Sequence, residues 1–244
     1  MGLGSLGRGH VEPIHGAVSQ ESAETRADFI RKTYVHLGGA ILAFVALEYL
    51  FVTSTAGQNF AIWAFGGSYV NWLMVLGGFM VVGWLAETWA HSDTSQSTQY
   101  IGLGLYVIAE VVIMCPLLYI CAYLAKNENL IPMAGIMTLL MFGGLTATVF
   151  ITKKDFSFMR GGLMLASFGA LGVIIAGMAF GFNLGLFFSV AMLALASGYV
   201  LYYTSNVIHR YRPGQHVAAS LSLFAAVALM FYYMLMLLLE LTSD

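Results

Sequence analysis

The chain has 244 residues and a formal net charge of −2, and only 9% of its residues are charged while 59% are hydrophobic. Soluble domains carry about 25% charged residues, so this composition excludes a set of water-facing domains. No cluster of Lys and Arg is large enough to neutralise a row of phosphates, which excludes nucleic acid as a partner. Cys115 and Cys121 share one apolar run, and we interpret them as small hydrophobic residues.

The first 30 residues form the only long polar region of the chain. They have no apolar core of the kind found in a secretory signal peptide, and their acidic residues argue against a mitochondrial transit peptide. We therefore predict a flexible cytoplasmic tail over residues 1–30 and a membrane domain over residues 31–244.

Seven apolar runs follow the tail. A helix needs about 20 apolar residues to cross the hydrocarbon core of a bilayer. The runs cover residues 33–54, 69–90, 99–124, 131–152, 159–181, 184–206 and 216–240. They are long and do not alternate with a period of two, which excludes β-strands. The fold class predicted is all-α, a polytopic membrane protein with seven transmembrane helices.

The basic residues predict an orientation. If the N-terminus lies in the cytoplasm, every Lys and Arg except Lys126 falls in a cytoplasmic segment. Cytoplasmic loops of membrane proteins carry such an excess of Lys and Arg. The sequence therefore predicts a cytoplasmic-membrane protein with its N-terminus inside and its C-terminus outside.

Two acidic residues lie deep in the predicted helices, Glu110 in the third and Glu48 in the first. An acidic side chain at the centre of a membrane helix costs about 2.5–3.5 kcal/mol, so both should face the interior of the bundle. One interpretation is a structural hydrogen bond to a neighbouring helix, and the other is a proton- or cation-sensing site. Pro116, which follows Glu110 by about two turns, should kink its helix and marks either local shape or a cavity.

The sequence contains no catalytic motif. Neither Gly-x-Ser-x-Gly nor His-Glu-x-x-His occurs, so we predict no enzymatic activity and no catalytic residue. His209 and His216 lie seven residues apart across a Pro-Gly turn, without a Cys or carboxylate beside them. Such a pair is a weak metal site, and we predict neither a metal nor a cofactor.

Two short polar strings resemble the Bax inhibitor-1 family, also called the TMBIM or YccA-like family. The first precedes the fifth predicted helix and the second ends the sixth. Their signature residues are Lys153, Lys154, Asp155, Ser157 and Phe158 in the first string, and Thr204, Ser205, Asn206 and His209 in the second. The resemblance extends from about residue 29 to the end of the chain and is closest to bacterial YccA-like members.

The resemblance implies a fold in which six helices surround a central last helix. It also implies one of two activities. Some members act as a pH-sensitive calcium leak that uses two facing aspartates of the sixth and seventh helices. These aspartates fall at Tyr203 and Ala226 here, and neither residue is acidic. Bacterial YccA-like members also lack the acidic pair, and they associate with the FtsH membrane protease and modulate it.

We therefore favour a non-enzymatic membrane protein that binds and modulates an FtsH-type membrane protease or another membrane assembly. The alternative is a pH-sensitive leak for calcium or protons that uses Glu110, with Glu48 as a further candidate. A structural subunit of a larger membrane complex is a third hypothesis. Membrane lipids are the remaining partners expected.

Overall fold

A computed structural model of the chain describes residues 16–66, 68–91, 95–125, 127 and 129–242. Its helices are α1 Ala23–Thr53, α2 Thr55–Gly66, α3 Tyr69–Ala90, α4 Gln96–Tyr119, α5 Leu130–Thr152, α6 Arg160–Phe180, α7 Gly185–His209 and α8 His216–Thr242. A π-helical turn, Ile120–Leu124, continues α4. Within the described ranges, 7 helices are long and apolar enough to cross a membrane, which confirms the all-α prediction of seven spans.

The last helix lies at the centre of the bundle. It packs against α1, α3, α4, α5 and α7, whereas α6 joins the bundle mainly through α7. In both α8 and α4, 67% of the most apolar stretch is buried, against 11–33% in the other spans. Small residues such as Ala218 and Ala219 let neighbouring backbones approach α8 closely. The predicted central position of the last helix is confirmed, and α4 is the second interior helix.

The short helix α2 was not predicted, because its 12 residues are too few to cross a membrane. Ser54 starts it, since its Oγ accepts a hydrogen bond of 3.0 Å from the backbone N–H of Gly57. A Cβ atom at Gly57 would lie 1.9 Å from the carbonyl oxygen of Phe51, so only glycine fits this turn. The Cys115 thiol contacts the Gly57 carbonyl at 3.6 Å, and both cysteines are buried and free.

The N-terminal boundary differs from the predicted one. Helix α1 begins at Ala23, where the Ser22 side chain accepts a hydrogen bond from the backbone N–H of Thr25, so a division at residue 30 falls inside α1. Val18 is fully buried and its N–H donates to the Tyr211 carbonyl at 2.8 Å. Val18 and Phe29 thus anchor the segment 16–30 to the bundle, although most of its side chains are exposed, whereas residues 1–15 of the predicted tail lie outside the described residues.

The connections between the helices lie at two ends of the bundle. The loop end holds the start of α1, the α5–α6 connection and the α7–α8 connection. The C-terminal end holds the α2–α3 and α6–α7 connections and the last turn of α8.

Candidate functional site

A cavity of about 1080 Å³ lies between α3, α4, α6, α7 and α8. At the C-terminal end it is bordered by Ser68, Phe182, Asn183 and Glu240, which stand at helix ends and in connections. Three of these, all except Glu240, are exposed, so the cavity reaches the surface at this end. We call this space the central cavity.

Glu110 lies at the inner end of the central cavity. Its side chain is only 5% exposed, and it forms a hydrogen bond with Tyr106, one turn earlier on α4. Tyr106 lines the cavity too, and it was not predicted as a site residue, although its spacing of four from Glu110 on one helix is a signal for such a contact. A carboxyl group in an apolar interior needs a proton, a hydrogen-bond donor or a cation as its partner.

Glu48 approaches Glu110 from α1. Among the described residues, neither carboxyl oxygen of Glu48 has a hydrogen-bond partner, and the side chain is 5% exposed. The two carboxyl groups are close enough for their charges to interact. Glu110 borders the central cavity, whereas Glu48 is not among the residues that line it. Two buried acidic residues thus lie on the packed helices α1 and α4, and one of them faces the cavity.

Tyr203 and Ala226 also lie at the inner end of the central cavity. Tyr203 packs against the small apolar cluster of α7 and α8 that contains Ala226. The ring of Tyr203 stacks on that of Tyr199, with a centroid separation of 5.6 Å and an interplanar angle of 19°. The two positions at which the resemblance places an acidic pair are therefore close to each other, and Glu110 brings a carboxyl group to the same cavity from α4.

The two signature strings meet at the loop end of the bundle, away from the cavity. The backbone N–H of Phe156 donates to Ser205 Oγ at 2.9 Å. Arg210 Nη2 donates to Ser157 Oγ at 2.6 Å and lies 3.6 Å from the Asp155 carboxylate. We call these five residues the loop clasp, because they join the α5–α6 connection to the end of α7.

The charge of Asp155 is stabilised within the loop clasp. Partial burial raises the pKa of Asp155, but hydrogen bonds from Ser157 and the positive charge of Arg210 outweigh it. The pKa of this carboxyl therefore lies below its ordinary value. Asp155 is ionised at neutral pH and its Oδ1 accepts a 2.8 Å hydrogen bond from the Ser157 N–H.

The other signature residues divide into two groups. Lys153, Lys154 and Phe158 are exposed, and Lys153 ends α5 in a left-handed conformation with φ of 50°. Thr204 and Asn206 are buried, and the Asn206 carbonyl accepts the N–H groups of Arg210 and Tyr211 that follow α7. These residues end helices and shape connections, and none of them lines the central cavity.

The histidines are in different surroundings. His209 Nδ1 lies 3.0 Å from the Ser205 carbonyl oxygen. The ring of His216 packs against that of His36, with a centroid separation of 5.0 Å. The part of the chain that the structure describes contains no group of three or more His, Cys, Asp or Glu side chains arranged to hold a metal ion.

Seven apolar helices, the last of them central, with Glu110 facing a cavity between them, define a polytopic α-helical membrane protein. The sequence model of the family described as "Inhibitor of apoptosis-promoting Bax1" matches residues 26–243. The chain therefore belongs to the Bax inhibitor-1 family, as its two signature strings predict.

Three relatives illustrate the range of this similarity. An uncharacterized protein of Pseudomonas aeruginosa is 29% identical over 173 residues, which cover 68% of this chain and 73% of that protein. Protein lifeguard 4 of Mus musculus is 26% identical, covering 89% of this chain and 87% of the relative. An uncharacterized protein of Neisseria meningitidis serogroup A is 25% identical, and the match covers 88% of this chain and 92% of that protein. No solved structure matches the chain significantly.

Proposed function

We propose that this protein is a pH-sensitive cation pathway, for protons or calcium, in which Glu110 is the binding group. The observation that carries the proposal is the central cavity, which connects Glu110 to the C-terminal end of the bundle. A buried carboxyl group facing a cavity inside a membrane protein is typical of ion and proton pathways. The proposal assigns no enzymatic activity to the chain.

The neighbouring acidic residue supplies the pH sensitivity. Glu48 and Glu110 are near enough for their charges to interact. An ionised carboxylate disfavours the ionisation of a second one nearby, so in this proposal the protonation of Glu48 modulates cation binding by Glu110. Glu48 is therefore the regulating group in this proposal, and Glu110 is the binding group.

The conformation described here is closed towards the loop end. On the loop-end side of Glu110, the ring of Phe224 on α8 packs edge-on against the rings of Phe44 and Tyr106. The ring centroids are 6.0 Å and 6.2 Å apart. Phe224 is 1% exposed, so these rings fill the centre of the bundle. Conduction requires that they move apart, which suits a regulated leak better than an open channel.

Flux through proteoliposomes tests the proposal. The purified protein is reconstituted with a calcium-sensitive or pH-sensitive dye inside the vesicles, and flux is measured between pH 6 and 8. We expect flux to fall at least tenfold in Glu110→Gln and the pH dependence to shift in Glu48→Gln. Glu24→Gln is the control, because Glu24 is exposed in the first turn of α1 and does not line the cavity. Equal flux in all four proteins contradicts the proposal.

A second candidate function, the modulation of an FtsH-type membrane protease or another membrane assembly, is favoured by the N-terminal segment. Ser19 Oγ donates a hydrogen bond of 3.1 Å to the His209 carbonyl, and the Val18 N–H donates one to the Tyr211 carbonyl. The segment and the α7–α8 connection therefore form one continuous surface at the loop end. A partner that engages this surface contacts the N-terminal segment and the signature loops together.

Co-purification from mild detergent tests this second function. We expect a membrane protease to be recovered with the wild-type protein. The amount recovered should be smaller with Val18→Asp, which places a charge in a fully buried position. Glu21→Gln is the matched control, because Glu21 is exposed on the same segment. Recovery of no protease with the wild-type protein counts against this function.

The proposed location is the bacterial cytoplasmic membrane, with the loop end in the cytoplasm. It is supported by the bacterial relatives and by the position of Lys153, Lys154, Arg210 and Arg212 at that end. Labelling with a membrane-impermeant thiol reagent tests it. From the outside we expect Thr242→Cys to react and Arg212→Cys to be protected, and the opposite pattern reverses the orientation.

A further inference from the structure

We infer that the central cavity binds a lipophilic organic cation, a quaternary ammonium or phosphonium group with apolar substituents. This inference rests on the proposed role of Glu110 and adds the class of ligand that the same site takes. Its evidence is the size of the cavity, the character of its wall and the sign of its charges.

The cavity is larger than an inorganic ion needs. Six waters around a metal ion occupy about 180 Å³, at about 30 Å³ for each water. The central cavity measures about 1080 Å³. Sites for organic ligands have volumes of about 300–1,000 Å³. The size therefore matches an organic molecule.

The wall of the cavity is mostly apolar and aromatic. Trp72 and Phe79 of α3, Phe188 of α7, and Leu229 and Met236 of α8 are representative lining residues. Such a wall offers few hydrogen bonds to hold water in place, whereas it packs well against the apolar substituents of a ligand.

The charges of the cavity select a cation. Glu110 stands at the inner end and Glu240 at the mouth, and no Lys or Arg is found among the described lining residues. The phosphate of a lipid headgroup would therefore meet two acidic groups and no basic partner. A cation would be attracted at the mouth and would pair with Glu110 at the inner end.

Four tyrosine rings contribute to the wall of the central cavity. Tyr199 and Tyr203 form a stacked pair with their ring centroids 5.6 Å apart. Tyr232 and Tyr233 form an edge-on pair with a centroid separation of 5.2 Å. All four line the central cavity. Aromatic faces attract quaternary cations, which have no N–H groups to donate and are held by the π systems of such rings.

Binding of tetraphenylphosphonium tests the inference, with tetraphenylborate as a probe of similar shape and opposite charge. Both are measured by equilibrium dialysis against nanodiscs with and without the protein. We expect saturable phosphonium binding that requires the protein, and no protein-dependent binding of the borate. The affinity should fall at least tenfold in Glu110→Gln and stay unchanged in Glu24→Gln, the control outside the cavity.

A second pair of variants tests the aromatic contribution independently of Glu110. Tyr203→Phe keeps the ring face and should bind phosphonium as the wild type does, whereas Tyr203→Leu should bind it several-fold more weakly. Thermal unfolding of every variant identifies any that are misfolded. Equal binding of the two probes overturns the inference, and so does phosphonium binding that is unchanged in both Glu110→Gln and Tyr203→Leu. A phospholipid that co-purifies and is not displaced by phosphonium overturns it as well.

The two proposals at this site fail in different ways. If Glu110→Gln abolishes ion flux but leaves phosphonium binding intact, the cation pathway stands and the ligand class is wrong. If phosphonium binds in a Glu110-dependent manner and no ion flux is measured, the ligand class stands and the pathway is wrong.

Discussion

The guanidinium group of Arg210 lies 3.6 Å from the carboxylate of Asp155, and this ion pair joins the two connections that carry the family signature. The two side chains are 29% and 35% exposed, so the pair lies at the surface of the loop end. The residues that make the chain recognisable therefore hold loops together, while the candidate binding group, Glu110, lies in the membrane interior.

We expect the contribution of Asp155 to stability to disappear in acid. Because its pKa is lower in the folded protein than in the unfolded chain, the ionised form stabilises the fold above about pH 4, the ordinary pKa of Asp, and this contribution is lost as the pH falls through the lower folded value. Asp155→Asn should be less stable than the wild type at pH 7 by less than about 1 kcal/mol, because the pair is partly exposed.

Thermal unfolding in detergent between pH 2 and 7 measures this difference. It should shrink towards zero at the acid end of the range. A difference that stays constant over the range would show that the charge of Asp155 does not act through the Arg210 pair.

Loss of the Ser205 hydroxyl should weaken the loop clasp. Ser205 Oγ accepts the Phe156 N–H from another helix connection, and its removal leaves that donor without this partner. We expect Ser205→Ala to cost about 1 kcal/mol. Ser197→Ala is the control on the same helix, because within the described residues the Ser197 hydroxyl bonds only to the Leu193 carbonyl of its own helix. Equal melting temperatures of the two variants would contradict the role of Ser205.

Gly102 is expected to be irreplaceable at the contact of α3 and α4. A Cβ atom there would lie 2.6 Å from the Ala86 carbonyl oxygen and 2.7 Å from the Ala90 nitrogen. These are backbone atoms that cannot rotate away, so Gly102→Ala should destabilise the protein by about 1–3 kcal/mol. Gly104→Ala is the matched control, because a Cβ at Gly104 meets nothing within 4 Å. Thermal unfolding of the two variants should separate them, and a stable Gly102→Ala protein would show that α3 and α4 can move apart easily.

Acidic residues at Tyr203 and Ala226 should change the pH dependence of flux. Both positions border the central cavity beside Glu110, so the double variant Tyr203→Asp, Ala226→Asp adds two carboxyl groups to the proposed pathway. Facing carboxylates compete for protons, and their ionisation attracts cations. We expect greater calcium flux at pH 8 than at pH 6 in proteoliposomes. The double Asn variant has the same shape without the charge, and equal flux in the two double variants would exclude an electrostatic effect.

Much of the fold could be predicted from the sequence because the membrane constrains it strongly. The apolar runs give the spans, and the cost of a charge in lipid places Glu110 and Glu48 in the interior, where both are found. Helix α2 was missed because it is too short for a span. The packing of Val18 against the α7–α8 connection was missed because a single apolar residue in a polar segment gives no periodic signal.

The seven spans, the family and the presence of two acidic residues inside the bundle can be read from the amino-acid sequence alone, because each follows from local composition or a short string of residues. The long-range packing of the helices places α1, which carries Glu48, against α4, and it gives Glu110 a cavity shared with Tyr203 and Ala226. The reason is physical: the length and apolarity of a helix require it to cross the membrane, but they do not fix its rotation or its neighbours. These are set by the packing of small residues and side chains from distant parts of the chain.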